Sequence, residues 1–196
     1  MLGFFRADED AFVKELMSSN INIDKLKKYI ANGVNINDVD EKGRNYLFFF
    51  AAKKNFNAIK VLISLGIDMY KEDKLGKTVL SEACEKYDFM MIKFLLDNGF
   101  DGNRKNSAGR TILQDCVLLG NDKVFQILLN YNLDFDIKDS DGRNVVFDAI
   151  ENGNLETLKK VIDNVKDINA VDKNGQTALF EAVLKDDLRL ALALIN

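Results

Sequence analysis

Few side chains in this 196-residue sequence are equipped for chemistry: it has no histidine and two cysteines, Cys84 and Cys116. Without histidine the commonest general base and metal ligand is missing, and a serine or cysteine nucleophile lacks its usual activator. Carboxylates are abundant, 31 Asp and Glu in all, but a solvated carboxylate pair has no reason to depart from ordinary titration. Two cysteines are too few for a disulfide framework or a zinc site, and both fall on small apolar positions, which reads as reduced thiols in a core. Of the 12 glycines, all but Gly3 and Gly102 occupy repeated positions, and no glycine-rich run follows a strand to cradle phosphate. We therefore expect no catalytic residues, no cofactor and no metal, and a protein that is not an enzyme.

What remains is charge arranged in rows. One position, recurring every 33 residues, reads Arg44, Lys77, Arg110, Arg143 and then Gln176. Five residues further on in each copy stand Phe49, Glu82, Asp115, Asp148 and Glu181. Two readings are open. The rows neutralise each other, with exposed pairs contributing about 0 to 1 kcal/mol each, or they line a bipolar groove that orients a partner by its charge. Affinity in such a groove comes from a few apolar anchors, for which the candidates are Leu118 and Leu119 with Tyr46, Phe48, Phe49 and Leu75. The aromatic members have an equal claim to be core filling.

The elements that must hold these rows are set by a turn: Asp40-Glu41-Lys42-Gly43, Asp73-Lys74-Leu75-Gly76, Asn106-Ser107-Ala108-Gly109, Asp139-Ser140-Asp141-Gly142 and Asp172-Lys173-Asn174-Gly175, spaced by 33 without insertion. A period of that length marks a supersecondary unit that buries its apolar face only by stacking on copies of itself. After each turn, Asn45, Thr78, Thr111, Asn144 or Thr177 is placed to cap a short helix. A longer second helix follows, with Lys27, Lys60, Lys93, Gln126 and Lys159 forming one polar row toward solvent. It ends in Gly33, Gly66, Gly99 or Asn132, residues suited to a left-handed terminus, whereas Val165 predicts a different ending. Between the two helices Gly120 and Gly153 share a position with Lys54, Tyr87 and Asp186, where a left-handed backbone would be strained by about 1 kcal/mol. Short extended pieces such as Ile67-Asp68-Met69-Tyr70 and Leu133-Asp134-Phe135-Asp136 lead back to the next turn and read as hairpin-like.

The pattern resembles the ankyrin repeat, in which an Asp-x-x-Gly-x-Thr-Pro-Leu-His turn leads into two antiparallel helices and a projecting β-hairpin loop. The resemblance covers residues 7 to 196 and implies an all-α solenoid of stacked helix-turn-helix units. It divides into a divergent N-terminal repeat at 7–39, repeats at 40–72, 73–105, 106–138 and 139–171, and a last one at 172–196, all within one domain. Two family positions differ. The proline is replaced by Tyr46, Val79, Ile112, Val145 and Ala178, and the histidine by Phe48, Ser81, Gln114, Phe147 and Phe180. Because that histidine ties neighbouring repeats by hydrogen bonds, this stack is expected to lean on apolar and aromatic contacts instead. The family's role implies a scaffold that binds a protein or peptide in a concave groove; an oligomerisation or assembly module acting through the apolar C-terminal helix and a regulatory subunit of a separate enzyme are the other readings.

The net charge of −4 argues against a nucleic-acid partner, which needs a basic footprint, and no apolar run approaches the roughly 20 residues of a membrane span. Met1–Arg6 lacks the pattern of a cleaved leader, so a cytoplasmic protein is expected, with export as an effector the alternative. A terminal repeat should turn a polar face to water, yet the last helix reads Leu188-Arg189-Leu190-Ala191-Leu192-Ala193-Leu194-Ile195, with Leu192 in the row that elsewhere holds Lys or Gln. Three explanations are open for Leu188 and Leu192: a docking or oligomerisation surface, a longer native chain, or tolerated exposure.

Overall fold

In the computed structural model, which describes residues 7–195, twelve helices follow one another in pairs, and the described residues form no strand beyond an isolated bridge between Val171 and Thr177. The stretch Met1–Arg6, on which the expectation about a leader rests, lies outside the described residues. The pairs are α1 (Ala7–Leu16) with α2 (Ile23–Ala31), α3 (Tyr46–Ala52) with α4 (Phe56–Ser64), and α5 (Val79–Glu85) with α6 (Phe89–Asp97). They continue as α7 (Ile112–Leu118) with α8 (Asp122–Leu128), α9 (Val145–Asn152) with α10 (Leu155–Ile162), and α11 (Ala178–Leu184) with α12 (Leu188–Ile195). Two compact units are resolved, one up to Ala83 and one from Cys84, and the boundary falls inside α5.

Each turn is built by its first residue. The Asp40 Oδ1 accepts from the amides of Lys42 and Arg44 at 2.9 and 3.0 Å, and Asp73 does the same for Leu75 and Lys77 at 2.8 and 3.0 Å. Asn106, Asp139 and Asp172 repeat the arrangement. A side-chain carbonyl or carboxylate here mimics a backbone turn, and the following glycine supplies the positive φ, 73° at Gly76. Since that side chain closes the loop, the expected β-hairpin shrinks to one or two backbone pairings per turn, such as Asp73 N to Lys77 O at 2.9 Å. The extended pieces also turn out to be bent. Asn35, Asp68, Asp101 and Asp134 each accept from the amide two residues on, so a second side-chain-closed turn stands where alternation predicted a hairpin arm.

Helix starts are held by side chains throughout. The expected caps are all made: Asn45 to Leu47, Thr78 to Ser81, Thr111 to Gln114, Asn144 to Val146 and Thr177 to Phe180. Each removes an orphan amide worth about 0.5 to 2 kcal/mol. A parallel series caps the second helices through Asn22, Asn55, Asp88, Asn121 and Asn154. In the second unit Asn121 also donates its Nδ2 to the carbonyl of Cys84 at 2.9 Å, tying a cap to the preceding repeat.

Helix ends diverge from expectation at one place. Among the described residues only Lys54, Tyr87 and Asp186 combine a side chain with positive φ, at 53°, 54° and 55°, so Asn132 is not left-handed. Helix α8 stops early, at Leu128, and Asn130 Nδ2 donates to the carbonyls of Gln126 and Ile127 instead. The end near Val165 is likewise closed by Asn164, which donates to Lys160 O at 2.7 Å.

In the first unit α1 packs on α2 and α3 on α4, around Phe12, Leu16, Leu47, Phe50, Ile59 and Leu62. In the second unit the first helices α7, α9 and α11 pack in succession, with α8 against α6 and α12 against α10. At the positions where the family's histidine stands, Phe48 and Phe147 are buried at 4% and 2% exposure, in line with the expected aromatic substitution. Gln114 does keep a hydrogen bond, however: its Nε2 donates to Arg143 O in the next repeat at 3.0 Å. Gly102, unexplained by the repeat, is buried where an added Cβ would lie 2.6 Å from Leu133 Cδ2.

Candidate binding surface

The basic and acidic rows do come together in the second unit, but as a partly buried network. Arg110 lies just before α7, at the end of its turn, and its guanidinium reaches three carboxylates. Its Nε donates to Asp115 Oδ1 at 2.6 Å, its Nη2 to Asp148 Oδ1 at 2.8 Å and its Nη1 to Asp139 Oδ2 at 3.4 Å, with the side chain 19% exposed. Burial opposes the cation, yet Asp148 and Asp115 hold it firmly protonated. Asp148 sits in the first turn of α9 and is buried; burial pushes its carboxyl up to about 7, against the pull of Arg110. Its Oδ2 has no hydrogen-bond partner among the described residues.

Arg143 holds the same slot one repeat later and is looser. It lies 3.9 Å from both Glu151 and Glu181 and stacks over Phe147, with 5.5 Å from the guanidinium carbon to the ring centre. In the first unit Arg44 turns back on its own turn, donating Nε and Nη2 to Asp40 Oδ2 at 3.0 and 2.7 Å. Burial is the largest single influence on the Asp40 carboxyl and raises it, but Arg44 and the turn amides together bring it below the usual range. Lys77 and Glu82 are half-buried.

The apolar candidates separate. Tyr46 is buried at 4%, packed on Phe12 with ring centres 5.6 Å apart, so its role is corrected from partner contact to core. Asp148, also at 4% exposure, is corrected to an internal ion pair. Phe49 is half-buried, edge-on to Phe50 at 5.0 Å, with Lys53 Nζ 5.1 Å from its ring centre. Leu118 is half-buried as well, whereas Leu119 is 66% and Leu75 77% exposed. Sequence reasoning passed over Tyr87, Phe89 and Met90, exposed at 54%, 36% and 71% around the α5–α6 turn, where Tyr87 and Phe89 make an edge contact at 6.5 Å. Their signal was three large apolar residues beginning on the strained left-handed slot.

Cys84 and Cys116 are free and buried, and burial raises both thiols, Cys116 to about 12, which leaves them inert. Among the described residues no cluster of carboxylates and thiols is spaced to hold a metal ion, and no helix is long and apolar enough to cross a membrane.

The family model described as ankyrin repeats (3 copies) matches the chain over residues 15–106, 48–139 and 113–196. No curated protein matches it significantly.

Proposed function

Because this chain belongs to the ankyrin repeat family, whose domains are generally protein-interaction modules, we propose that it is a non-enzymatic scaffold that binds a protein or peptide. One domain over residues 1–196 is part of the proposal, supported by the unbroken period of 33. The observation that carries the reading is where the exposed leucines lie. Turn and cap slots are occupied by residues that bond to the backbone, while Leu75, at a turn tip, and Leu119, at the end of α7, occupy variable slots and are 77% and 66% exposed. A leucine held out on a rigid turn gains about 1.5 to 3 kcal/mol when a partner buries it fully, which suits it to anchor a contact. Within the first unit Lys77 and Glu82 add polar groups and the half-buried Phe49 a flatter contact, and within the second Arg143 adds a cation. Arg44, Arg110 and Asp115 spend most of their donor and acceptor capacity internally, so they shape the surface more than they bind.

Nucleic acid is a poor fit to the net charge of −4. A cytoplasmic location fits the two free cysteines. Affinity capture from a lysate with the wild type, Leu75→Glu and Leu119→Glu in parallel tests the reading. Specific partners should be lost from at least one variant. Recovery of the same proteins in the same amounts from all three would remove both leucines from the binding surface.

A further inference from the structure

Within the second unit the ends of the packed helices α7 and α9 lie against each other. Asn152 Nδ2 donates to Leu118 O at 3.4 Å, and a Cβ added at Gly120 would stand 2.7 Å from the same nitrogen. Leu118 and Glu151 hold the same slot, one period of 33 apart. The half-buried Leu118, the exposed Leu119 and the exposed Glu151 therefore share one stretch of surface. Glu151 is poorly compensated there. It stands in the last turn of α9, where the helix dipole disfavours an anion, and it follows Asp148, a like charge, at i, i+3. Arg143 lies 3.9 Å from both Glu151 and Glu181, too far for a hydrogen bond to either. Lys185 gives its ammonium to the backbone carbonyls of Ile150 and Glu151. Beneath them Asp115, Asp139 and Asp148 converge on Arg110. Asp148 Oδ2, on a side chain only 5% exposed, has no hydrogen-bond partner among the described residues. Five carboxylates thus face three cations, Arg110, Arg143 and Lys185, and the most buried carboxylate is left half satisfied.

We propose that this surface binds a basic segment of a partner protein, with an arginine or lysine side chain on Glu151 and Glu181 and an adjoining apolar side chain on Leu118 and Leu119. The proposal rests on the scaffold reading above and adds the chemistry of the partner to it. An excess of carboxylates attracts a cation from outside, and neighbouring leucines let the aliphatic stem of that cation lie against apolar surface. Both glutamates are within reach of one ligand cation, since Arg143 already lies 3.9 Å from each. Arginine fits better than lysine, because its planar fork pairs with a carboxylate through two parallel hydrogen bonds. Arg143, held over the Phe147 ring, is the internal competitor: it occupies the field of both glutamates without bonding to either. An acidic segment is repelled by the same excess.

Selection from a random linear peptide library displayed on phage, with the full chain as target, tests this. Recovered peptides should carry Arg or Lys beside Leu, Ile or Phe. One of them, synthesised with a fluorescent label, then gives affinities by anisotropy for variants whose far-ultraviolet circular dichroism spectrum is unchanged. Glu151→Gln combined with Glu181→Gln should weaken that peptide at least about tenfold, and Leu119→Ser should weaken it through the apolar half of the surface. Arg143→Gln removes the competitor and should tighten binding at least about threefold, which a merely structural role for these charges would not do. Recovered peptides without cations, no peptide above background, a basic peptide unmoved by the glutamine pair or by Leu119→Ser, or one weakened by Arg143→Gln would each overturn the proposal. The scaffold reading stands or falls separately, on the lysate capture with Leu75→Glu and Leu119→Glu, which does not depend on the partner's charge.

Discussion

Arg44 and Arg110 occupy the same slot of the repeat, yet one is a surface pair and the other the centre of a buried network. Arg44 has Asp40 at the head of its own turn and folds back onto it, with a side chain 34% exposed. The head of the Arg110 turn is Asn106, whose Oδ1 serves the turn amides but carries no charge. The guanidinium then extends to Asp115 in α7 and to Asp139 and Asp148 in the next repeat. A charged head holds Arg44 on its own turn and the neutral Asn106 frees Arg110, while Arg143, whose head Asp139 is engaged by Arg110, also reaches forward toward Glu181.

The sharpest way to break the comparison is to remove each cation. At about pH 8, where Asp148 is ionised, Arg110→Met leaves that carboxylate buried without a partner and should cost about 3 to 5 kcal/mol, whereas Arg44→Met should cost no more than about 1 kcal/mol. Urea unfolding followed by circular dichroism reads both. Equal losses would mean that burial of the Arg110 network is energetically empty.

A second expectation concerns pH. The folded Asp148 carboxyl lies near 7, above its ordinary 3.8, so the folded state binds a proton that the unfolded chain has released. Its stabilising contribution is complete below the ordinary value and is lost as pH rises through about 7. Between about pH 4 and about pH 8 the wild type should lose about 1 to 3 kcal/mol that Asp148→Asn does not lose. Asp40, Asp141, Asp172 and Asp187 behave in the opposite sense: their lowered values put their contribution above the ordinary carboxylate range, to be lost only as pH falls through it. The difference between wild type and variant isolates Asp148, and parallel pH curves would refute the assignment.

The smallest effect belongs to the left-handed slot, which also separates positions of one kind. Lys54→Gly and Tyr87→Gly relieve a strained backbone and should stabilise by up to about 1 kcal/mol, offset in part by the extra freedom of unfolded glycine. Gly120→Ala should lose at least about 1 kcal/mol, because its new Cβ would also sit 2.7 Å from Asn152 Nδ2. Thermal midpoints of the three variants give the ordering directly.

Much of the fold is legible because its parts are local. Asp40 and Asp73 bond amides two and four residues on, and Thr111 caps Gln114 three residues on, so residue type and spacing suffice. The second-helix caps from Asn22 to Asn154 and the bent loops at Asn35, Asp68, Asp101 and Asp134 carried the same period of 33. They are harder to read because the same short segments also carry an alternating apolar pattern, and side-chain-to-backbone bonding competes with the extended backbone which that pattern favours.

By itself the sequence determined the helix pairs, the caps of the first helices, the strained slots at Lys54 and Tyr87, and the polar row that Leu192 interrupts. Only the tertiary structure decided which anion each cation takes, that Asp148 and Tyr46 are interior, and that Leu119 rather than Leu118 stands out in water. The physical reason is distance along the chain. Arg110 meets Asp139 and Asp148 across 29 and 38 residues, and whether charges that far apart in sequence touch, and how dry they are when they do, is set by how one repeat seats on the next.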